Sequence, residues 1–473
     1  MRNEPVKLAF AGLAVLISAC FFLVVLGTGL PAFAKFLLAV LSVAACGIAL
    51  SLSFGLEGWG GLFLLRSRAG LRLLDDEAKR HPRFWQLFAE IGMVVGYGSL
   101  AHFLINRKGW NWKRFALVYG IGAALMVLLS SVIAPLAISS LLAMLSGGSE
   151  FAAAGAKLQG SFSQFEFAKY AFLAALAFGG IALTTTASIV IYAGGVALAI
   201  IGALLGNSAA LAHTSPGGVP LLPGINLPFA EGIAALAVVL VVHEGMHGIL
   251  ARKHGLPLTS AGLVFFGFIP FGAFVDIDEK KLLAEKAEKQ NAVFVAGTAA
   301  NFAACLAFLL LLLATVAVTT PLRLSGAYVE QGVGNIPNGS VIEAIGGKPV
   351  STLLGVSLKP DTVYEVKTDE GTFSRETDAS GKLGITYVPA DPEGVNGGIV
   401  YARGFGWIAS FIRFLVLAFA LNFVVAAMNL VPLPLFDGYH LMRNGVRNEL
   451  AAKAIMYIVA AAFLLTLFPW VLR

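Results

Sequence analysis

Charge is scarce in this sequence. Asp, Glu, Lys and Arg make up 13% of 473 residues, about half the roughly 25% usual in soluble domains. The chain is 58% hydrophobic, in runs of about 20 residues or more, the length that crosses a bilayer as helix. A soluble core is thereby excluded, as is a disordered, fibrous or singly anchored chain. Cysteine is nearly missing too. Cys20, Cys46 and Cys305 lie inside apolar stretches and none belongs to a CxxC pair, so they point to packing, not to disulfides or metal ligation. Long basic clusters are also lacking. The net charge of +6 is spread in short groups between apolar runs, where Lys and Arg mark the ends of spanning helices and not a nucleic-acid face.

Ten apolar runs are present, near 6–27, 33–54, 84–105, 115–144, 168–186, 188–206, 228–251, 291–319, 406–431 and 452–472. They predict an all-α polytopic membrane protein of about ten transmembrane helices, embedded in a lipid bilayer. The fifth and sixth runs are separated only around Thr184-Thr185-Thr186, which leaves open one long or re-entrant element. Met1-Arg2 ahead of the run Leu8 to Leu26 resembles an export signal, and Ile17-Ser18-Ala19-Cys20 a lipoprotein cleavage site. The run continues without giving way to polar sequence, so an uncleaved first helix is expected.

Orientation follows from the basic clusters. With Arg252-Lys253 taken as cytoplasmic, alternation places Arg107, Lys108, Lys113 and Arg114 inside, as the positive-inside rule requires. It also places Arg66, Arg68, Arg72, Lys79 and Arg80 outside, against that rule. One N-terminal segment is therefore expected to be re-entrant or interfacial, and Trp59-Gly60-Gly61 with the basic amphipathic stretch to Arg72 is the candidate. A different departure is the stretch from Leu322 to Arg403, where Asp361, Glu365, Lys367, Asp369, Glu370, Arg375, Glu376 and Asp378 sit among short alternating runs. It reads as a small, mostly β soluble domain, with a turn at Gly346-Gly347.

Chemistry concentrates in Val242-His243-Glu244-Gly245-Met246-His247-Gly248, an HExxH near the end of an apolar helix. Positions four apart share a helix face with Cβ atoms about 5–6 Å apart, so His243 and His247 can bind one zinc ion through neutral imidazoles. Glu244 then lies beside the metal, where a general base for a zinc-activated water belongs. With 7 His and at most 27 acidic residues, chance would supply this pattern about 0.006 times in such a chain. Three ionisable groups within five membrane residues also point to function.

Two histidines leave a catalytic zinc one ligand short. Glu231 lies about 18 Å up the same helix and is out of reach. Asp276 and Asp278 follow in a turn or strand. Asp437, in Asn429-Leu430-Val431-Pro432-Leu433-Pro434-Leu435-Phe436-Asp437-Gly438, is the better candidate. It precedes Arg443 as His247 precedes Arg252, so both lie about 8–9 Å inside the same face if helical. Pro432 and Pro434 remove backbone donors and loosen the helix there.

HEGMH at 243–247 together with NLVPLPLFDG at 429–438 resembles the site-2 protease family of intramembrane zinc metalloproteases, in its archaeal or bacterial form. Three weaker features occur in the family's order. Pro270 to Val275 resembles its membrane-associated β-hairpin, Gly297-Thr298-Ala299-Ala300-Asn301 its Gly-x-x-x-Asn, and the soluble stretch its PDZ-like insert. The likeness covers about residues 228–445. Thr298 replaces a common Pro, Tyr439 a common second Gly, and the insert lacks a clear glycine-rich carboxylate-binding loop. The resemblance implies zinc held by His243, His247 and Asp437, with Glu244 as base. Asn301 and Asn429 would stand behind the ligands or contact substrate, and Gly272 and Phe274 in the hairpin would contact it too.

The expected organisation is an N-terminal helical region of unassigned role (1–206), a first core half (207–320), the PDZ-like domain (321–404) and a second core half (405–473). Transmembrane proteins are the expected substrates. The expected location is the plasma membrane of a prokaryote, with the site near the cytoplasmic face and the insert outside. His81 and His254 in polar edges and His213 in a loop read as solvated, His102 as packed in its helix, and His440 as an edge residue. Competing readings are a polytopic metal transporter, which would need polar ligands strung across the bilayer, and a catalytically silent relative, which an intact Glu244 disfavours.

Overall fold

The computed structural model describes residues 4–471 apart from short stretches, the longest being 146–165, 208–213, 351–356 and 391–398. Arg68, Arg107, Lys108 and His213 lie outside the described residues. Two compact units divide the chain, Met1–Phe308 with Val416–Arg473, and Leu309–Leu415.

Among the described residues nine helical segments are long and apolar enough to cross a membrane, and the chain is a polytopic membrane protein carrying antiparallel β-sheets. Nine replaces the expected ten because the runs at 168–206 join in one helix, Glu166–Leu204, bent at Gly180 where φ is 64°. The threonines do not break it. Thr184 Oγ1 bonds back to the Gly180 and Ile181 carbonyls and Ser188 Oγ to that of Thr184, so the hydroxyls are satisfied within the helix.

Helices α1 (Glu4–Gly27) and α2 (Ala32–Phe54) form an antiparallel hairpin, joined by Ser18 and Ser42 at 3.0 Å. The next segment, expected to be re-entrant or interfacial, is β-structured. Trp59-Gly60-Gly61 turns a β-hairpin, β1 (Gly58–Trp59) and β2 (Leu62–Ser67), with both glycines at positive φ. β2 pairs with β3 (Leu258–Phe266), which pairs with β4 (Ile269–Ile277), all antiparallel, in the order β1-β2-β3-β4. The expected two-stranded hairpin is thus half of a four-stranded sheet. Its turns press on α2: a Cβ on Gly61 would meet Ala44 at 2.5 Å and one on Gly267 the Val43 carbonyl at 2.4 Å.

The amphipathic α3 (Leu71–Arg80) follows. Then α4 (Pro82–Tyr97) ends at Gly98, whose φ of 55° and ψ of −132° reverse the chain into a short turn to Leu104. Both ends of this segment lie toward one edge of the molecule. Gln86 accepts from Lys253, while the Leu104 carbonyl accepts from Asn291, whose amide oxygen in turn takes Asn444. Asp75 meets Arg252 at 2.6 Å, and Arg114, in α5 (Trp112–Leu145), pairs with Glu90 at 2.9 Å. The segment Pro82–Leu104 therefore returns toward the edge it leaves. Asp75, Arg114, Arg252 and Lys253 gather toward the same edge.

The remaining helices are α6 (Glu166–Leu204), α7 (Phe229–Lys253), α8 (Glu279–Ala284), α9 (Ala287–Thr319), α10 (Trp407–Asn429), α11 (Asp437–Val446) and α12 (Glu449–Val471), of which α9 and α10 each run from one unit into the other. In the second unit an antiparallel sheet packs Ala327, Val329, Ile342, Ile345 and Val366 into a core. Its strands Val341–Ile345 and Lys348–Pro349 join through Gly346-Gly347, at φ 55° and 74°, the positive-φ pair that a two-residue hairpin turn requires.

Candidate metal centre

His243 and His247 stand on successive turns of α7, both buried, with ring centroids 4.7 Å apart. Asp437 is the first residue of α11. After Asn429 ends α10, Pro432 and Pro434 keep the chain out of helix until Asp437, because neither ring can donate to a preceding turn. Asp437 Oδ2 then lies 3.2 Å from His243 Nε2 and 3.3 Å from His247 Nε2. The three ligand-type atoms all fall within 4.8 Å of one another. Of the other acidic candidates, Asp276 is held by Thr259, Ser260 and Arg66, and Asp278 caps α8 by accepting from Lys281 N–H.

Helix α9 sets the ring orientations. His247 Nδ1 lies 2.7 Å from the Val293 carbonyl, an acceptor only, so Nδ1 carries a proton and in the neutral ring Nε2, on the Asp437 side, is the nitrogen with the lone pair. Asn301, fully buried, places its amide 3.2 Å from His243 Nδ1 and leaves its own Oδ1 without a partner. Turning the amide pairs Oδ1 with the His243 ring, Oδ1 then accepting the Nδ1–H. Lone pairs from two imidazoles and a carboxylate then converge, and Asp437 Oδ2 takes no hydrogen bond. Such a set suits a cation. Gly297 supplies the room, since a Cβ there would sit 2.5 Å from His243 Nε2 and 2.6 Å from His247 Nε2.

Glu244 points to the sheet. Its Oε2 accepts the Val275 backbone N–H at 3.3 Å, on the side of β4 that no strand pairs with among the described residues. Phe274 lies one residue away beneath Arg66, 5.4 Å from its guanidinium carbon, and Gly272 faces Val264. Neither joins the three-residue cluster, nor does the half-buried Asn429, whose amide makes no hydrogen bond to it among the described residues. His440 stacks on Phe294 with centroids 4.4 Å apart, so it is a packing residue more than an edge one.

Sequence reasoning missed two contributors. The Val293 carbonyl is a backbone group with no side-chain signature. Tyr97, which donates to the Leu430 carbonyl at 3.5 Å, comes from α4, outside the motif region. Helix α4 lies against the centre's supports: a Cβ on Gly92 would meet Ala299 Cβ at 2.5 Å, and one on Gly96 the Leu430 side chain at 3.0 Å.

Comparison with known proteins matches residues 231–467 to peptidase family M50. A relative, an uncharacterized protein of Methanocaldococcus jannaschii, is 28% identical over 260 residues, covering 53% of this chain and 66% of the relative. The chain thus spans just under two thirds of that relative's length. The matched stretch contains His243, Glu244, His247, Gly297, Asn301 and Asp437, and it takes in half of the chain. The chain belongs to peptidase family M50, the site-2 protease family.

Proposed function

We propose that the protein is an intramembrane zinc metalloendopeptidase that cleaves transmembrane segments of other membrane proteins. The observation that carries this reading is the convergence of His243 Nε2, His247 Nε2 and Asp437 Oδ2 at the end of a spanning helix, with Glu244 next to them in sequence. Those three side chains would hold the zinc. When bound, it supplies an electrophile for the scissile carbonyl and acidifies a coordinated water to a pKa of about 7. Glu244 takes the proton of the attacking water and delivers it to the leaving amine. Asn301 fixes the His243 ring from behind. Asn429 is assigned to the substrate backbone, where an amide can donate to developing negative charge.

A substrate helix hides its peptide groups in its own hydrogen bonds and must unwind locally before cleavage. The open edge of β4 offers replacement partners by strand addition, beside Gly272 and Phe274. Glu244, held at Val275, stands next to that edge. The second unit, read as PDZ-like, filters substrates or serves as a spacer or partner-docking domain. The basic edge around Arg252 is assigned to the cytoplasmic face of a prokaryotic plasma membrane, by the positive-inside rule.

The test is zinc content and cleavage of a transmembrane-helix reporter by the purified chain. Wild type should hold about one zinc, as a site with three protein ligands does. Glu244→Gln should keep zinc and lose cleavage, and Asp437→Ala should lose both. Cleavage by Glu244→Gln would remove the assigned base, and a wild type without zinc would end the reading.

A further inference from the structure

We infer that Arg66 is a positioning residue for the substrate strand, acting from the N-terminal β-hairpin on the edge strand β4. The inference rests on the strand-addition reading above. It begins with which edges are open. Strand β3 is paired on both sides, by β2 and by β4, and at the far side β1 has only two residues. Strand β4, with nine residues, is the long edge left for an added strand. Among the described residues it is strand-paired on one side alone, and α7 packs beside it with Glu244 at Val275.

Register places Arg66, Gly262 and Phe274 in one row across β2, β3 and β4. The middle position has no side chain, and a Cβ on Gly262 would come within 2.9 Å of the Phe274 ring. Through that gap the Arg66 guanidinium reaches over β3. It lies 5.4 Å above Phe274, and Nη1 donates to Asp276 Oδ2 at 2.8 Å and Ser260 Oγ at 2.9 Å. Its Nε and Nη2 donate to Glu57 Oε2 at 3.1 and 3.0 Å. One fork thus ties the start of β1 to the end of β4, as a planar guanidinium can and an ammonium cannot.

Asp276 follows Val275, the residue whose amide meets Glu244. Where Arg66 holds Asp276 therefore sets how the open edge is presented to an incoming strand. Ion pairs as exposed as these, with Arg66 and Asp276 side chains 40% and 39% accessible, add little to global stability. Their effect falls on the placement of an edge strand that pairs with no second strand among the described residues and packs against α7. Arg66 lies outside residues 231–467, so the N-terminal region supplies part of the substrate-presenting sheet.

The experiment uses the full-length zinc-loaded chain and the transmembrane-helix reporter, comparing wild type, Arg66→Ala, Arg66→Lys, Asp276→Ala and the Arg66→Ala/Asp276→Ala double variant. Each alanine variant should raise KM about threefold to fivefold, with no further rise in the double variant. The kcat and the zinc content should hold, and Arg66→Lys should fall between. An unchanged KM in Arg66→Ala, additive single effects, or kcat and zinc falling together would overturn the assignment. Binding of the same reporter to Glu244→Gln chains, with and without Arg66→Ala, reads the same ratio without turnover. A wild type that binds the reporter but never cuts it ends the protease reading, while the binding ratio still decides on Arg66.

Discussion

Gly297 is the least replaceable residue of the centre, because its missing side chain is the space between the two imidazoles. Gly297→Ala puts a methyl 2.5 to 2.6 Å from both Nε2 atoms, so the expected result is a helical chain that no longer retains zinc through gel filtration. A full complement of zinc in that variant would show that the ligands meet elsewhere. Asn301→Ala should weaken zinc binding about 10-fold to 100-fold, the usual loss when a group orienting a histidine ligand is removed. Asn301→Asp keeps an acceptor for the His243 Nδ1–H and should bind close to wild type; equal losses in both variants would reject the amide orientation assigned here. The cluster His243, His247 and Asp437 was readable in the sequence, since four-residue spacing and equal depth below basic edges are properties of side chains. The Val293 carbonyl was not, because every residue carries one.

Among elements, the sheet and the long helix depart furthest from what patterning alone suggests. Gly60-Gly61 reads equally as an interfacial break or a hairpin turn, and the choice depends on β3, some 200 residues later. Likewise the threonines at 184–186 look like punctuation until their hydroxyls are seen to bond backward along the helix. The insert was more transparent, because its Gly-Gly turn and alternating strands are local signals. Gly262 offers a test of the sheet. Gly262→Val brings a side chain within 2.2 Å of the Leu65 carbonyl and should destabilise the unit by about 1–3 kcal/mol, the usual range for overpacking; unchanged thermal unfolding would argue that β2 does not pair with β3. At the end of α7, His254 is less solvated than its polar neighbourhood suggested. Burial, then the charges of Lys253 and Lys289, push its imidazole down to about 4, against a smaller opposing effect of Glu285. A folded-state value below the ordinary 6.5 means that the unfolded chain takes up the proton first. Stability is then intact above about pH 6.5 and declines as pH falls toward 4. The melting temperature should drop between pH 7 and 5 more in wild type than in His254→Asn, and identical curves would show that His254 carries no such linkage.

At the scale of the whole molecule, the family-matched stretch is not a self-sufficient body. Of the nine segments long and apolar enough to cross, Pro82–Leu104 is the most deeply buried, and its glycines are where Ala299 and Leu430 pack. A fragment starting at residue 207 should therefore expose that face, bind zinc weakly and aggregate in detergent, and co-expression with residues 1–206 should restore both properties. Full zinc binding by the fragment alone would refute this. The reversal at Gly98 also alters how the polypeptide is threaded. Because the chain enters and leaves that segment on one side, it adds no crossing. Helices α1 and α2 go over and return, with Phe22 near the start of α7 at 6.2 Å between ring centroids. The amino terminus, the turn before Pro82 and the start of α5 should then share one compartment with Arg252, so impermeant labels applied to closed vesicles should mark all of these positions or none of them.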